Sequence, residues 1–118
     1  MCLILELNLS NNRISALPSE LSSCSLLENV DISSNSFVSL PSFLTEMPSI
    51  KNINARKNYI ADVEVEVILT NNNLETVDLE ENPLNKTTYE ELEQASRVSS
   101  VKISLSARQQ EDWEDLSI

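Results

Sequence analysis

The chain has 118 residues, 8 Lys and Arg against 19 Asp and Glu, a formal net charge of −11, and neither His nor Gly. Without His there is no Ser–His or Cys–His nucleophile pair and no imidazole metal ligand; without Gly there is no P-loop, dinucleotide fingerprint or nucleophile elbow. The net charge argues against nucleic acid or an anionic membrane as partner, which leaves a single small binding or scaffolding domain without cofactor.

The first residues, Met1 to Leu7, show neither a basic leader nor a small-residue cleavage site. No run approaches the roughly 18 apolar residues of a membrane span. Two cysteines, Cys2 and Cys24, are too few for a disulfide framework. They suit a reducing compartment, the cytoplasm or alternatively the nucleus, with Cys24 as a small core residue. The sequons at Asn8 and Asn85 carry no weight in a chain so rich in Asn, Ser and Thr.

A period then appears. Ile4-x-x-Leu7-x-Leu9-x-x-Asn12-x-Ile14 is followed by Leu27-x-x-Val30-x-Ile32-x-x-Asn35-x-Phe37. Ile50-x-x-Ile53-x-Ala55-x-x-Asn58-x-Ile60 and Leu74-x-x-Val77-x-Leu79-x-x-Asn82-x-Leu84 complete four copies. Each alternation, such as Val30/Ile32, is a short strand with one buried face. Asn12, Asn35, Asn58 and Asn82 mark where the chain leaves each strand, and a buried amide there can bond turn backbone that no ladder satisfies. In a chain without Gly, asparagines are also expected to take the turn positions with positive φ.

Leu17-Pro18 and Leu40-Pro41 open the second half of the first two units, where Pro favours an irregular or short-helical return. The third unit reads Val63-Glu64-Val65-Glu66-Val67-Ile68, an edge-strand pattern taken alone. The repeat register places it on the return instead. Thr88-x-x-Glu91 reads as a capping box opening a helix to about Ser96, with Tyr89 and Leu92 inward. Val98-x-x-Val101-x-Ile103 repeats the strand template as a closing strand, with Ser106 at the asparagine position.

The pattern is the leucine-rich-repeat signature, with a period inside its window of roughly 20–29 residues. The expected fold is an α/β solenoid, a short horseshoe with a parallel concave sheet of about five strands and an irregular or short-helical convex side. Residues 1–106 form the domain, with repeats at about 4–26, 27–49, 50–73 and 74–97 and a closing strand over 98–106. Residues 107–118 form an acidic tail or cap. Either Trp113 and Leu116 cover the last repeat, or the tail is a free acidic-hydrophobic peptide for a partner's groove. No amphipathic segment precedes Ile4. The chain is therefore expected to be a shortened form, or a monomer whose uncovered end can associate.

Leu40-Pro41-x-x-Leu44-Thr45-x-x-Pro48, Asn58-x-Ile60-x-Asp62-Val63 and Leu79-x-x-Asn82-Pro83-Leu84-Asn85 go beyond the generic repeat. Over residues 27–85 the sequence resembles the family of leucine-rich repeat-containing protein 20, whose members carry additional N-terminal sequence. The resemblance implies an intracellular repeat protein without an enzymatic role.

Function in such an architecture belongs on the concave sheet, whose outward side chains alternate with the core. The template puts there Glu6, Asn8 and Ser10; Asn29, Asp31 and Ser33; Lys51, Asn52, Asn54 and Arg56; and Thr76, Asp78 and Glu80. One repeat is basic (Lys51, Arg56, Lys57) between acidic or polar neighbours. One reading is a charge-patterned groove for a protein partner; the other is lateral pairing of these bases with Glu28, Asp31, Asp78 and Glu80. A second functional class is a regulatory subunit docking on an enzyme such as a phosphatase, with the acidic tail contributing. The paired carboxylates, such as Glu64/Glu66 and Glu80/Glu81, lack a calcium loop or a pKa-raising setting, so no catalytic or metal residue is expected. The charge is uneven: through Ala61 there are 5 acids and 4 bases, and from Asp62 onward 14 acids and 4 bases.

Overall fold

A computed structural model describes residues 3–71 and 73–106. Five three-residue strands form one parallel sheet in sequential order: β1 (Glu6–Asn8), β2 (Asn29–Asp31), β3 (Asn52–Asn54), β4 (Thr76–Asp78) and β5 (Lys102–Ser104). The register aligns Leu7, Val30, Ile53, Val77 and Ile103 as one inward row. This is the expected α/β solenoid.

The returning segments lengthen along the chain. A 3₁₀ segment (Ser19–Ser23) is followed by α1 (Ser42–Glu46), α2 (Val65–Thr70) and α3 (Lys86–Val98). Pro18 and Pro41 stand at the N-caps of the first two, where fixed φ suits the entry and a missing N–H costs nothing. In the third unit the repeat register prevails over the alternating pattern. Val65 and Ile68 are buried on one face of α2, while Asp62 makes only an isolated bridge to Ser39. Asn71 fastens this unit to the one before, its amide donating to the carbonyls of Thr45 (2.6 Å) and Met47 (3.2 Å).

Two boundaries differ from expectation. Helix α3 begins a turn earlier, because Asn85 rather than Thr88 is the cap; its side chain accepts the Thr88 N–H at 2.8 Å. Thr88 is instead buried within the first turn, and the helix continues past Ser96 to Val98. The longer helix delays the next strand by two residues. Ile103 therefore pairs with Val77, not with Leu79, and Val98 is the exposed end of α3 rather than a strand core residue. Tyr89 and Leu92 do face inward.

The core is a stack of rows. Leu27, Ile50 and Leu74 are 0–2% exposed, as are Ile32, Ala55 and Leu79 in the row beyond the strands. Ala55, the small residue in that row, is fully buried, and Phe37 fills the turn side. The first unit differs, since Ile4 is 41% exposed and Leu3 and Leu5 more so. Cys24 is buried as expected, but within a disulfide rather than as the thiol that the cysteine count suggested. Cys2 lies outside the described residues, as does the tail from residue 107.

Positive φ falls on an asparagine, as expected, only at Asn11. Asn11, Ser34, Lys57 and Glu81 hold φ of 56–61° at one position, immediately before the repeat asparagine in every unit. Arg13 is a fifth case, at 58°. The turn geometry dictates this conformation whatever the residue, and for a residue with a Cβ it costs roughly 1–2 kcal/mol. Ser34→Gly should therefore stabilise the protein by about 1 kcal/mol in urea unfolding.

Candidate functional site

The pleat of each strand sends its central residue into the core and its neighbours to the concave face. Two outward rows result. In the first, Thr76 Oγ1 donates to Asn52 Oδ1 (2.5 Å), Asn52 Nδ2 to Asn29 Oδ1 (2.6 Å), and Asn29 Nδ2 to Glu6 Oε1 (3.3 Å). A hydrogen-bonded relay thus crosses four strands and ends on a carboxylate.

The second row is Asn8, Asp31, Asn54 and Asp78. Each side-chain Oδ1 accepts the N–H two residues ahead, from Ser10, Ser33, Arg56 and Glu80, at 3.0–3.1 Å. These are Asx turns, which bend the chain out of the strand. The hydroxyls of Ser10 and Ser33 donate to the same oxygens. Asp and Asn serve the turn equally well, so charge at this row is not needed for folding. Oδ2 of Asp31 and of Asp78 receives no hydrogen bond from the described residues.

Both rows line one open groove of about 420 Å³, floored by the strand residues from Glu6 to Ser104. Its carboxylates are Glu6, Asp31 and Asp78, and neither Lys nor Arg lines it. Of the residues expected on this face, Glu6, Asn8, Asn29, Asp31, Asn52, Asn54, Thr76 and Asp78 come together there. Ser10, Ser33, Lys51, Arg56 and Glu80 do not line the groove. Ser104 does, and was missed; aligning Ile103 with Val77 would have found it.

The bases sit away from the floor and mostly pair sideways. Lys51 Nζ is 4.0 Å from Glu28, and Arg56 reaches Glu80 (3.3 Å) and Glu81 (2.8 Å). Lys57, exposed and left-handed in backbone, has no ion pair among the described residues. The Arg56–Glu81 hydrogen bond and the attraction of unlike charges raise the Arg56 pKa and lower that of Glu81. Both groups are exposed, so the pair adds little to stability.

Beneath the groove lies the asparagine ladder. Asn35 Oδ1 accepts the N–H groups of Asn12 and Ile14, both at 3.0 Å, and Asn82 Oδ1 those of Asn58 and Ile60, both at 3.1 Å. Asn58 Oδ1 accepts from Phe37 N (3.0 Å). Each amide nitrogen returns bonds to carbonyls of its own and the preceding unit, as Asn58 does to Ala55 and Ile32. Asn35, Asn58 and Asn82 are buried; Asn12, in the first unit, is exposed and donates to Leu9 and Ser10. Ser106 does not hold the asparagine position that was expected of it: with β5 displaced by two residues it aligns with Glu80, and its hydroxyl accepts from Glu81 N (2.8 Å) where the carbonyls of Ser33, Arg56 and Glu80 accept from Asn11, Ser34 and Lys57. Among the described residues no acidic or cysteine cluster could hold a metal, and no helix is long and apolar enough to cross a membrane.

Asn58→Ala strands the Phe37 N–H and at least two carbonyls, and should cost at least about 3 kcal/mol in chemical unfolding. Arg56→Ala removes the main cause of the low Glu81 pKa, so NMR should follow that carboxyl titrating at higher pH, towards the ordinary glutamate range. The lowered pKa stabilises the folded state above the unfolded-state pKa and that contribution fades as pH falls through the folded one. In the variant this acid-side dependence should shrink, Lys57 remaining as a weaker cause.

A family model for the leucine-rich repeat matches residues 4–24. No curated protein matches the chain. Among solved structures, a leucine-rich-repeat protein of Leptospira interrogans superposes with a TM-score of 0.71 at 23% identity. The match covers 86% of this chain and 25% of that one, so the chain spans about a quarter of that structure's length. With the parallel sheet and the repeated asparagine, these matches make the fold a leucine-rich-repeat solenoid, an architecture that generally serves protein–protein interaction.

Proposed function

We propose that the chain is a non-enzymatic interaction module that holds a protein partner on its concave face, through a positively charged segment of that partner. The supporting observation is the groove itself, which carries Glu6, Asp31 and Asp78 and no cation. Opposite charge on a partner would steer its approach and set its register more than it would raise affinity. The groove also lacks aromatic residues, the usual anchors of tight interfaces, so the complex is transient. Asn8, Asn29, Asn52, Asn54 and Thr76 supply polar contacts, while Lys51, Arg56, Ser10, Ser33 and Glu80 act from outside the floor.

The protein acts as a monomer in the cytoplasm or nucleus on this reading. The two-cysteine count supports that localisation, and the Cys24 disulfide, a bond that persists in oxidising compartments, opposes it. The finer likeness to the family of leucine-rich repeat-containing protein 20 rests on residues 27–85 alone. Docking on an enzyme through the acidic tail would use residues 107–118, outside the described residues.

The repeat supplies a clean test. Asp31→Asn and Asp78→Asn keep the Asx-turn acceptor, as Asn8 and Asn54 already show, and Glu6→Gln keeps the end of the relay. The triple variant should fold with stability unchanged within about 0.5 kcal/mol. It should recover partners from lysate about tenfold less well at low salt than the parent, with the difference shrinking as salt rises. Equal recovery by both baits would overturn the reading.

A further inference from the structure

At one register position the two outermost strands carry charges that the inner strands lack. The pairing aligns Glu6, Asn29, Asn52, Thr76 and Lys102 in a single outward row, one residue from each strand. An acid therefore stands at the first end of the row and a base at the last. Both are exposed, and neither has an ion pair among the described residues.

Hydrogen bonding gives this row a direction. An ionised carboxylate only accepts, so Glu6 takes the amide N–H of Asn29, whose oxygen then faces β3. Asn52 repeats the arrangement, its amide donating to Asn29 and its oxygen accepting the Thr76 hydroxyl. With that proton committed, Thr76 Oγ1 has only lone pairs left, and Lys102, next in register, has only donors to offer. Every bond points from β4 towards β1. The row ends in an acceptor at Glu6 and in donors at Lys102.

The second row adds a spacing. Its carboxylates, Asp31 and Asp78, lie on β2 and β4, each one strand in from an end. Strands about 4.8 Å apart put Glu6, Asp31, Asp78 and Lys102 at about 0, 5, 14 and 19 Å across the sheet. An extended segment laid across the strands turns alternate side chains to the sheet, at about 0, 7, 13 and 20 Å. Four same-face side chains of a seven-residue segment thus meet three acids and then a base.

We infer that the partner's segment lies extended across the strands, with bases at its positions one, three and five and a carboxylate at seven, the basic end over β1 and the carboxylate over Lys102. The inference rests on the reading of the groove as the docking face, and adds direction and register to it. A segment laid the other way would set its carboxylate against Glu6 and a base against Lys102, exchanging two attractions for two repulsions.

The probe is an acetylated peptide, Lys-Ser-Lys-Ser-Lys-Ser-Glu-amide, with a nitroxide on a cysteine added at one end or the other. Its effect on the backbone amides of the full chain is read by NMR. A label at the lysine end should broaden Glu6–Asn8 several-fold more than Lys102–Ser104, and a label at the glutamate end the reverse. The peptide of inverted sequence should keep its charges over the same strands although its chain direction turns round. Glu6→Lys with Lys102→Glu, both exposed changes, should reverse the pattern while amide shifts away from the two sites stay native. Equal broadening of both strands by either label, or a pattern unmoved in the swapped variant, would overturn the direction and leave the groove as the docking face. Broadening only outside the sheet, or none, would overturn the inference, and the lysate comparison with the Glu6, Asp31 and Asp78 triple variant then judges the groove reading on its own.

Discussion

A three-residue strand cannot leave its sheet without orphaning backbone groups, and the buried amide of the repeat asparagine answers that constraint. Asn35, Asn58 and Asn82 each give both amide hydrogens to carbonyls across two units, and Asn35 and Asn82 each accept two N–H groups through one oxygen. A leucine at that position could fill the volume and satisfy none of these groups. Because the bonds reach into the preceding unit, each coil is held in register with the one before it. The parallel sheet, the straight core rows and the row alignment of the concave face all follow from this repeat.

That regularity explains why the concave face is chemically permissive. Its first row is occupied by a relay of amides and a hydroxyl, and its second by Asx turns that accept Asn and Asp alike. The turns need one oxygen, so a carboxylate at this row leaves its second oxygen facing the groove. Asp31 and Asp78 thus bring charge that the fold does not require. The bases of the third repeat are spent otherwise: Arg56 and Lys51 lean along the sheet onto glutamates of neighbouring units. A face expected to be mixed in sign is acidic on its floor.

The two ends of the stack follow a different rule from its middle. Interior rows reach full burial because neighbours lie on both sides, and the same residue types at Ile4 and Ile103 do not. The convex side adapts to what each unit has available, from a 3₁₀ segment after Pro18 to the thirteen-residue α3. It is this last helix, capped by Asn85, that displaces β5 by two residues and leaves Val98 outside the sheet.

The sequence by itself determined the repeat, its strands, the structural asparagines and the convex placement of Val63–Ile68, because each rests on spacing and the spacing is kept for four units. It also named eight of the residues that line the groove, since alternation along a strand is local. The tertiary structure decided what spacing cannot carry. The start of α3 depended on which of two nearby polar residues, Asn85 or Thr88, found an N–H to accept. The register of β5 depended on how much chain that helix used. The charge of the groove depended on where long, flexible Arg56 and Lys51 side chains found partners. The left-handed turn fell on Ser34, Lys57 and Glu81, because backbone geometry set by packing coils against one another overrides the preference of the residue that occupies it.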